Sequence, residues 1–270
     1  MLVRHCATGR TGRHGRSAPV GASAPVRYRQ AVTDADPIPE RGPAPLCPPG
    51  SPNGTPPRFR RTRGRRLLSA AINAGWNWLG THGAIGPDDA AGRRFGAFGP
   101  GSCLSFPPGA RFGEEYIQIG SDTLIGPNVC LSAGMMPGQT MITDPVVRIG
   151  DRCLIGRGSH IVGHFAIDIG DDVYTGPYVY ITDQNHGYED PDKVIHAQWP
   201  NDAPVSIGAG SWLGRACVIL PGTVLGRNVV VGAGAVVRGT FPDRCVVAGV
   251  PARIVRRYVA GRGWVNGSGD

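Results

Sequence analysis

The sequence predicts an all-β chain wound as a parallel β-helix, and three observations predict it. From Ile119 the residues repeat every six: IGSDTL, IGPNVC and LSAGMM, then IGDRCL from Ile149, IGDDVY from Ile169 and IGAGSW from Ile207. A period of eighteen lies on the first. Position 2 reads Gly, Gly, then another residue, namely Ser132, Val162, Thr182, Leu220 and Arg238. The three interruptions, 137–148, 167–168 and 187–206, all follow a third hexad. A repeat this short has to stack on its neighbours to bury an apolar face.

Fifteen hexads align, and position 1 is aliphatic in all but Thr175. Position 5 is mostly small or β-branched, as at Thr123, Val129, Val173 and Val229. Position 5 and the next position 1 are two apart, so in a strand they face one side. Both face inward, and position 6 between them faces out. Position 4 is Gly, Asn or Asp in nine of the fifteen, types that tolerate positive φ and so make a sharp corner. Three hexads make one coil of triangular section, and five full coils are legible. The insertions therefore leave from a single corner. Cys153 and Cys217 fall at inward position 5 and are expected as core filler.

The elements before the coils follow in order. Residues 1–65 form an Arg-, Pro- and Gly-rich leader with too little apolar periodicity to fold, expected to be disordered. Residues 1–66 hold 13 Arg against 3 acidic side chains, and the other 204 hold 15 basic and 17 acidic. The basicity thus belongs to the leader, and the domain carries no charge pattern for nucleic acid. Residues 66–94 are a short helix and linker. Leu68, Ala71, Ile72, Gly75, Trp76 and Leu79 lie at helical spacing. That helix either packs on the main domain or, with the arginines before it, rests on a membrane surface through residues 60–80. Residues 95–117 read as one or two degenerate coils, 95–258 as the β-helix with insertion 187–206, and 259–270 as a flexible tail. No stretch has the apolar length of a secretion signal or a membrane span, and seven scattered cysteines suit a reducing compartment. A cytoplasmic location is expected.

The hexads resemble those of the hexapeptide-repeat acyltransferases. The resemblance implies a left-handed β-helix assembled as a homotrimer, with acetyl-CoA as acyl donor and no metal. The segment TDQNHGY is similar to the histidine-bearing segment of galactoside- and maltose-type sugar O-acetyltransferases, which implies His186 as the catalytic base. The runs SWLGRACVILPGTVLG and VVAGVPARIVRRY are similar to the coenzyme A end of the same enzymes. They imply contacts at Arg215, Ala233, Arg238, Gly239, Arg253 and Arg256. Arg215 stands where a small polar residue is usual and Gly239 where Lys is common.

Acyl transfer from a thioester to a hydroxyl needs a base for the hydroxyl proton, and imidazole suits the working pH. By the hexad count His186 is position 6 of a third hexad, outward on a flat face and beside the longest insertion. The same count puts Asn185 at an inward position where an apolar residue belongs. Asp183 either orients the imidazole or contacts the acceptor. Tyr188 and Trp199 in the insertion suit sugar stacking and, with Asp183 and Asn185, are the expected acceptor contacts; Trp212, grouped with the coenzyme A contacts, either supports the catalytic face or packs between subunits. Arg253 and Arg256, three apart, are expected to serve coenzyme A phosphates together. Tyr174, Tyr180, Trp212 and Val218 face outward and favour association. Two other functions remain open. A zinc enzyme resembling trimeric β-helix carbonic anhydrases would use His160, His164 and His186, although His164 occupies a corner position that accepts positive φ. The other is a non-catalytic trimeric scaffold.

Overall fold

A computed structural model describes residues 62–267. The expected leader, 1–65, lies almost wholly outside them. Residues 74–267 cluster as one unit, and 62–73 belong to a second. Helix α1, Arg63–His82, extends at both ends beyond the helical spacing of Leu68 to Leu79, and none of its residues is buried.

The rest is a parallel β-helix with three faces, which each coil visits in turn. Face 1 stacks Ile117–Ile119, Val147–Ile149, Ile167–Ile169 and Val205–Ile207 between shorter end strands. Face 2 runs through Leu124–Ile125, Leu154–Ile155, Tyr174–Thr175 and Trp212–Leu213. Face 3 runs through Cys130–Ala133, His160–Gly163, Tyr180–Thr182 and Val218–Ile219. The upstream segment supplies one coil, formed by Ala97–Phe98, Cys103–Leu104 and Arg111–Phe112.

The inward positions make the core. Ile119, Ile125, Leu131, Ile149, Ile155 and Ile161 are all buried, as are Cys153 and Cys217. Thr175, the exception to the aliphatic rule, is buried too, and its Oγ1 accepts the Gly156 N–H at 2.8 Å. A hydroxyl is kept there because it satisfies a buried amide. Position 2 is Gly because successive coils touch at the corners. A Cβ on Gly156 or Gly208 would lie 2.3 Å from the carbonyl oxygen of Gly176 or Gly226 in the next coil.

Corner residues Asp122, Asn128, Asp172 and Asn228 have φ between 53 and 58°. Arg152, Tyr178, Ala216 and Arg244 adopt the same conformation despite their side chains. His164, which the hexad count places at such a corner, does not. Its φ is not positive, and its N–H is held by Asp183 of the next coil.

All three insertions leave from the corner between face 3 and face 1. The longest departs earlier than the repeat indicates, at Asp183, and rejoins at Val205. The far end is closed by Ala252–Val259, antiparallel to Cys245–Gly249 on face 2. Residues 263–266, within the segment expected as a flexible tail, form a strand paired with Ala252–Val259.

Candidate active site

The site is built from the base of the longest insertion upward. Asp183 is fully buried, and its carboxylate accepts three backbone N–H groups, from His164 at 2.8 Å, Phe165 at 2.9 Å and Ala166 at 2.6 Å. Burial pushes its carboxyl up, the three N–H donors pull it down, and the neighbouring Asp202 adds to the rise. Asp183 therefore fastens one coil's corner to the next. It is not free to bond an acceptor or an imidazole.

Turning Asp183 inward ends the hexad register after Thr182. Gln184–Asn185 becomes a short strand, antiparallel to Asn201–Asp202. Asn185, expected inward, is exposed on this hairpin. His186 follows it, also exposed. It stands on the hairpin and not on the flat face that the hexad count indicates. Its placement beside the insertion, at the edge all insertions leave, is as expected.

His164 anchors the hairpin. Its Nδ1 lies 2.8 Å from Asp202 Oδ2, and its Nε2 lies 3.4 Å from Gln139 Nε2 in the first insertion. Asp202 is paired with Gln184, and Asn201 with Asn185. The Ala203 N–H donates to the Asp183 carbonyl at 2.8 Å, closing the base.

The insertion has its own fastenings. Asn201 Nδ2 donates to Glu189 Oε1 at 2.6 Å. Glu189's own N–H, that of Tyr188 and the Asn201 amide hold the Glu189 carboxyl below its ordinary value. Gln198 bonds the backbone of Asp190 and Lys193. Gly187 packs so closely on Trp199 that a Cβ would meet its carbonyl oxygen at 2.3 Å. Tyr188 and Trp199 stay exposed, Trp199 at 86%.

The residues implied for coenzyme A divide among three places. Arg215 and Ala233 lie in successive coils at the corner between faces 2 and 3, joined by the Gly234 N–H to Arg215 O bond at 2.9 Å. The spacing missed what surrounds them: the guanidinium carbons of Arg215 and Arg157 lie 5.7 and 5.6 Å from the Tyr178 ring centroid. Arg238 and Gly239 stand at the opposite edge of face 3, the edge that carries His186, two coils on. Arg253 lies at the end cap, in a shallow cavity of about 380 Å³ with Arg257, Thr240 and Phe241.

Arg256 does not join Arg253 there; its guanidinium carbon sits 6.0 Å from the Trp264 ring centroid. Arg253 instead lines one cavity with Arg257. Arg257 Nε is buried without a hydrogen-bond partner, a donor that suits a phosphate oxygen.

Outward side chains form ladders. Leu154, Tyr174, Trp212 and Val230 run down face 2, and His160, Tyr180, Val218 and Val236 down face 3. Trp212 thus lies on a face, not at the hairpin. Among the described residues no group of three His, Cys, Asp or Glu is placed to hold a metal. His160 is exposed on face 3, and the Nδ1 of His164 is engaged by Asp202.

Comparison with known proteins agrees with the coil architecture. Residues 204–239 match the family described as bacterial transferase hexapeptide (six repeats), and 146–182 the hexapeptide repeat of succinyl-transferase. The chain is 38% identical over 120 residues to the putative lipopolysaccharide biosynthesis O-acetyl transferase WbbJ of Escherichia coli, covering 42% of this chain and 61% of that one. It is 30% identical over 147 residues to the galactoside O-acetyltransferase of the same organism, covering 53% and 64%. The chain thus spans less than two thirds of these relatives. AntD, an N-acyltransferase from Bacillus cereus solved with dTDP and 3-hydroxybutyryl-CoA, shares the fold at TM-score 0.53 and 18% identity, over 63% of this chain and 87% of that one.

Proposed function

We propose that this chain, a member of the hexapeptide-repeat acyltransferase family, moves an acetyl group from acetyl-CoA to a hydroxyl of a saccharide or glycosylated acceptor. The observation that carries the reading is the placement of His186. It is an exposed imidazole on a hairpin held to two coils by Asp183 and His164, at the edge from which every insertion leaves. The thioester supplies the acyl group. His186 takes the acceptor's hydroxyl proton as the oxygen attacks the thioester carbon, and returns it to the departing sulfur as the C–S bond breaks. No covalent bond to the protein is needed when donor and acceptor are held together.

Arg253 and Arg257 would hold the phosphates of coenzyme A, with Arg238 and Gly239 along the same edge as His186. Arg215 and Ala233 lie across face 3 from that edge, which suits a site shared between copies. Tyr188 and Trp199 would receive the acceptor, their exposed rings suiting the apolar face of a sugar. The O-acetyl transferase names of the two Escherichia coli relatives support this acceptor class.

The test is to incubate the purified chain with acetyl-CoA and a panel of saccharide acceptors and to measure free thiol. Acceptor-dependent thiol release with an acetylated product supports the reading. Release that no hydroxyl acceptor stimulates would contradict it.

A further inference from the structure

Helix α1 has a composition that the acyl-transfer reading does not use. Its 20 residues contain no Asp or Glu. At 100° per residue, Leu67, Leu68, Ala71, Ile72, Trp78 and Leu79 fall in one arc, and Arg66, Ser69, Asn73 and Asn77 in the opposite one. The apolar arc is open: Leu67 is 69% exposed, Ile72 61% and Trp78 60%. Trp76, at its margin, meets Phe106 at 5.9 Å between ring centroids, and Trp78 stacks on His82 of the same helix at 4.8 Å.

The charges sit at the wrong end for the helix itself. Arg63, Arg65 and Arg66 occupy the first turn, where the helix dipole and the unpaired N–H groups are already positive. The Thr62 hydroxyl reaches only the Arg65 N–H, at 3.4 Å. Arg58, Arg60 and Arg61 precede it in the sequence. Such an end is unfavourable alone and is relieved by an external surface of negative charge.

We infer that α1 lies in the interface of an anionic lipid bilayer, its apolar arc in the acyl boundary and its arginines among the headgroups. It lies on the surface and does not span, since no described helix is long and apolar enough to cross. A second copy of the chain fits less well. A pair of α1 helices carries six first-turn arginines and no carboxylate to answer them, and residues 83–270 offer 15 basic against 17 acidic groups. This inference stands on α1 alone and does not depend on the transfer reaction.

The test is co-sedimentation of the full chain with vesicles of phosphatidylcholine, with and without about one third phosphatidylglycerol. Anionic vesicles should carry the protein down, and neutral vesicles or high salt should lower the partition at least about tenfold. Arg63→Gln/Arg65→Gln/Arg66→Gln should lower it roughly hundredfold, at about fivefold per arginine. Leu68→Asp/Ile72→Asp should abolish it while the oligomer's mass is unchanged. Three results would overturn the inference. The wild type fails to sediment with anionic vesicles; the double aspartate variant binds as wild type, which assigns binding to the arginines of 1–61; or that variant dissociates a larger assembly, which assigns the face to a second copy.

Discussion

His164 Nδ1 and Asp202 Oδ2 lie 2.8 Å apart, and this contact ties the hairpin bearing His186 to the coil before it. The pair is mostly shielded, with 17% and 26% of the two side chains exposed. Its role is to orient the hairpin, so removing it acts on catalysis through position. His164→Leu should lower turnover about tenfold while the Michaelis constant for acetyl-CoA stays within about twofold. His164→Gln, which keeps a donor for Asp202, should recover part of the loss. Equal loss in both variants, or a rise in the Michaelis constant alone, would count against a positioning role.

Asp183 answers for three N–H groups at the neighbouring corner. Asp183→Ala leaves them buried without an acceptor, at a cost of about 1–3 kcal/mol. Thermal unfolding should drop by several degrees. An unchanged midpoint would show that the corner finds other partners.

At the end cap, Arg253→Ala and Arg257→Ala should each raise the Michaelis constant for acetyl-CoA by about tenfold, with turnover within about twofold, as expected for a lost charge-assisted bond to phosphate. Arg256→Ala, which loses its place beside Trp264, should do less. A larger effect at Arg256 than at Arg257 would reverse the assignment.

The cysteines offer a check on the core. Burial pushes the Cys217 thiol up to about 12 and also raises those of Cys153 and Cys245. Iodoacetamide at pH 8 should leave all three intact in the folded protein. Cys130, outward on face 3 and half-buried, should react before them. Mass spectrometry of alkylated peptides decides the order.

The sequence carried the coil architecture and the edge of the site, because both depend on which residue types repeat. Glycine at position 2 and aliphatics at position 1 reflect contacts that every coil makes. The hairpin was not legible for the opposite reason. Asp183 leaves the register to meet backbone N–H groups of another coil, and no residue type announces that. Counting onward by six then set Asn185 inward and His186 on a flat face, and both stand on the hairpin instead. Arg257 was missed because it lines the cavity beside Arg253 from four residues on, and a spacing of three led to Arg256 instead. The Arg157–Tyr178–Arg215 cluster was missed because Tyr178 holds a corner where Gly, Asn or Asp is usual.

The central claim is that His186 removes the acceptor's proton. General-base catalysis contributes about 10²–10⁴-fold, or roughly 3–5 kcal/mol of transition-state stabilisation. The direct measurement is the turnover of His186→Ala with acetyl-CoA and a confirmed acceptor, beside its oligomeric mass and coenzyme A affinity. Turnover should fall at least about a hundredfold, with assembly and coenzyme A binding unchanged. A correctly assembled variant that keeps more than about a tenth of wild-type turnover would contradict the account.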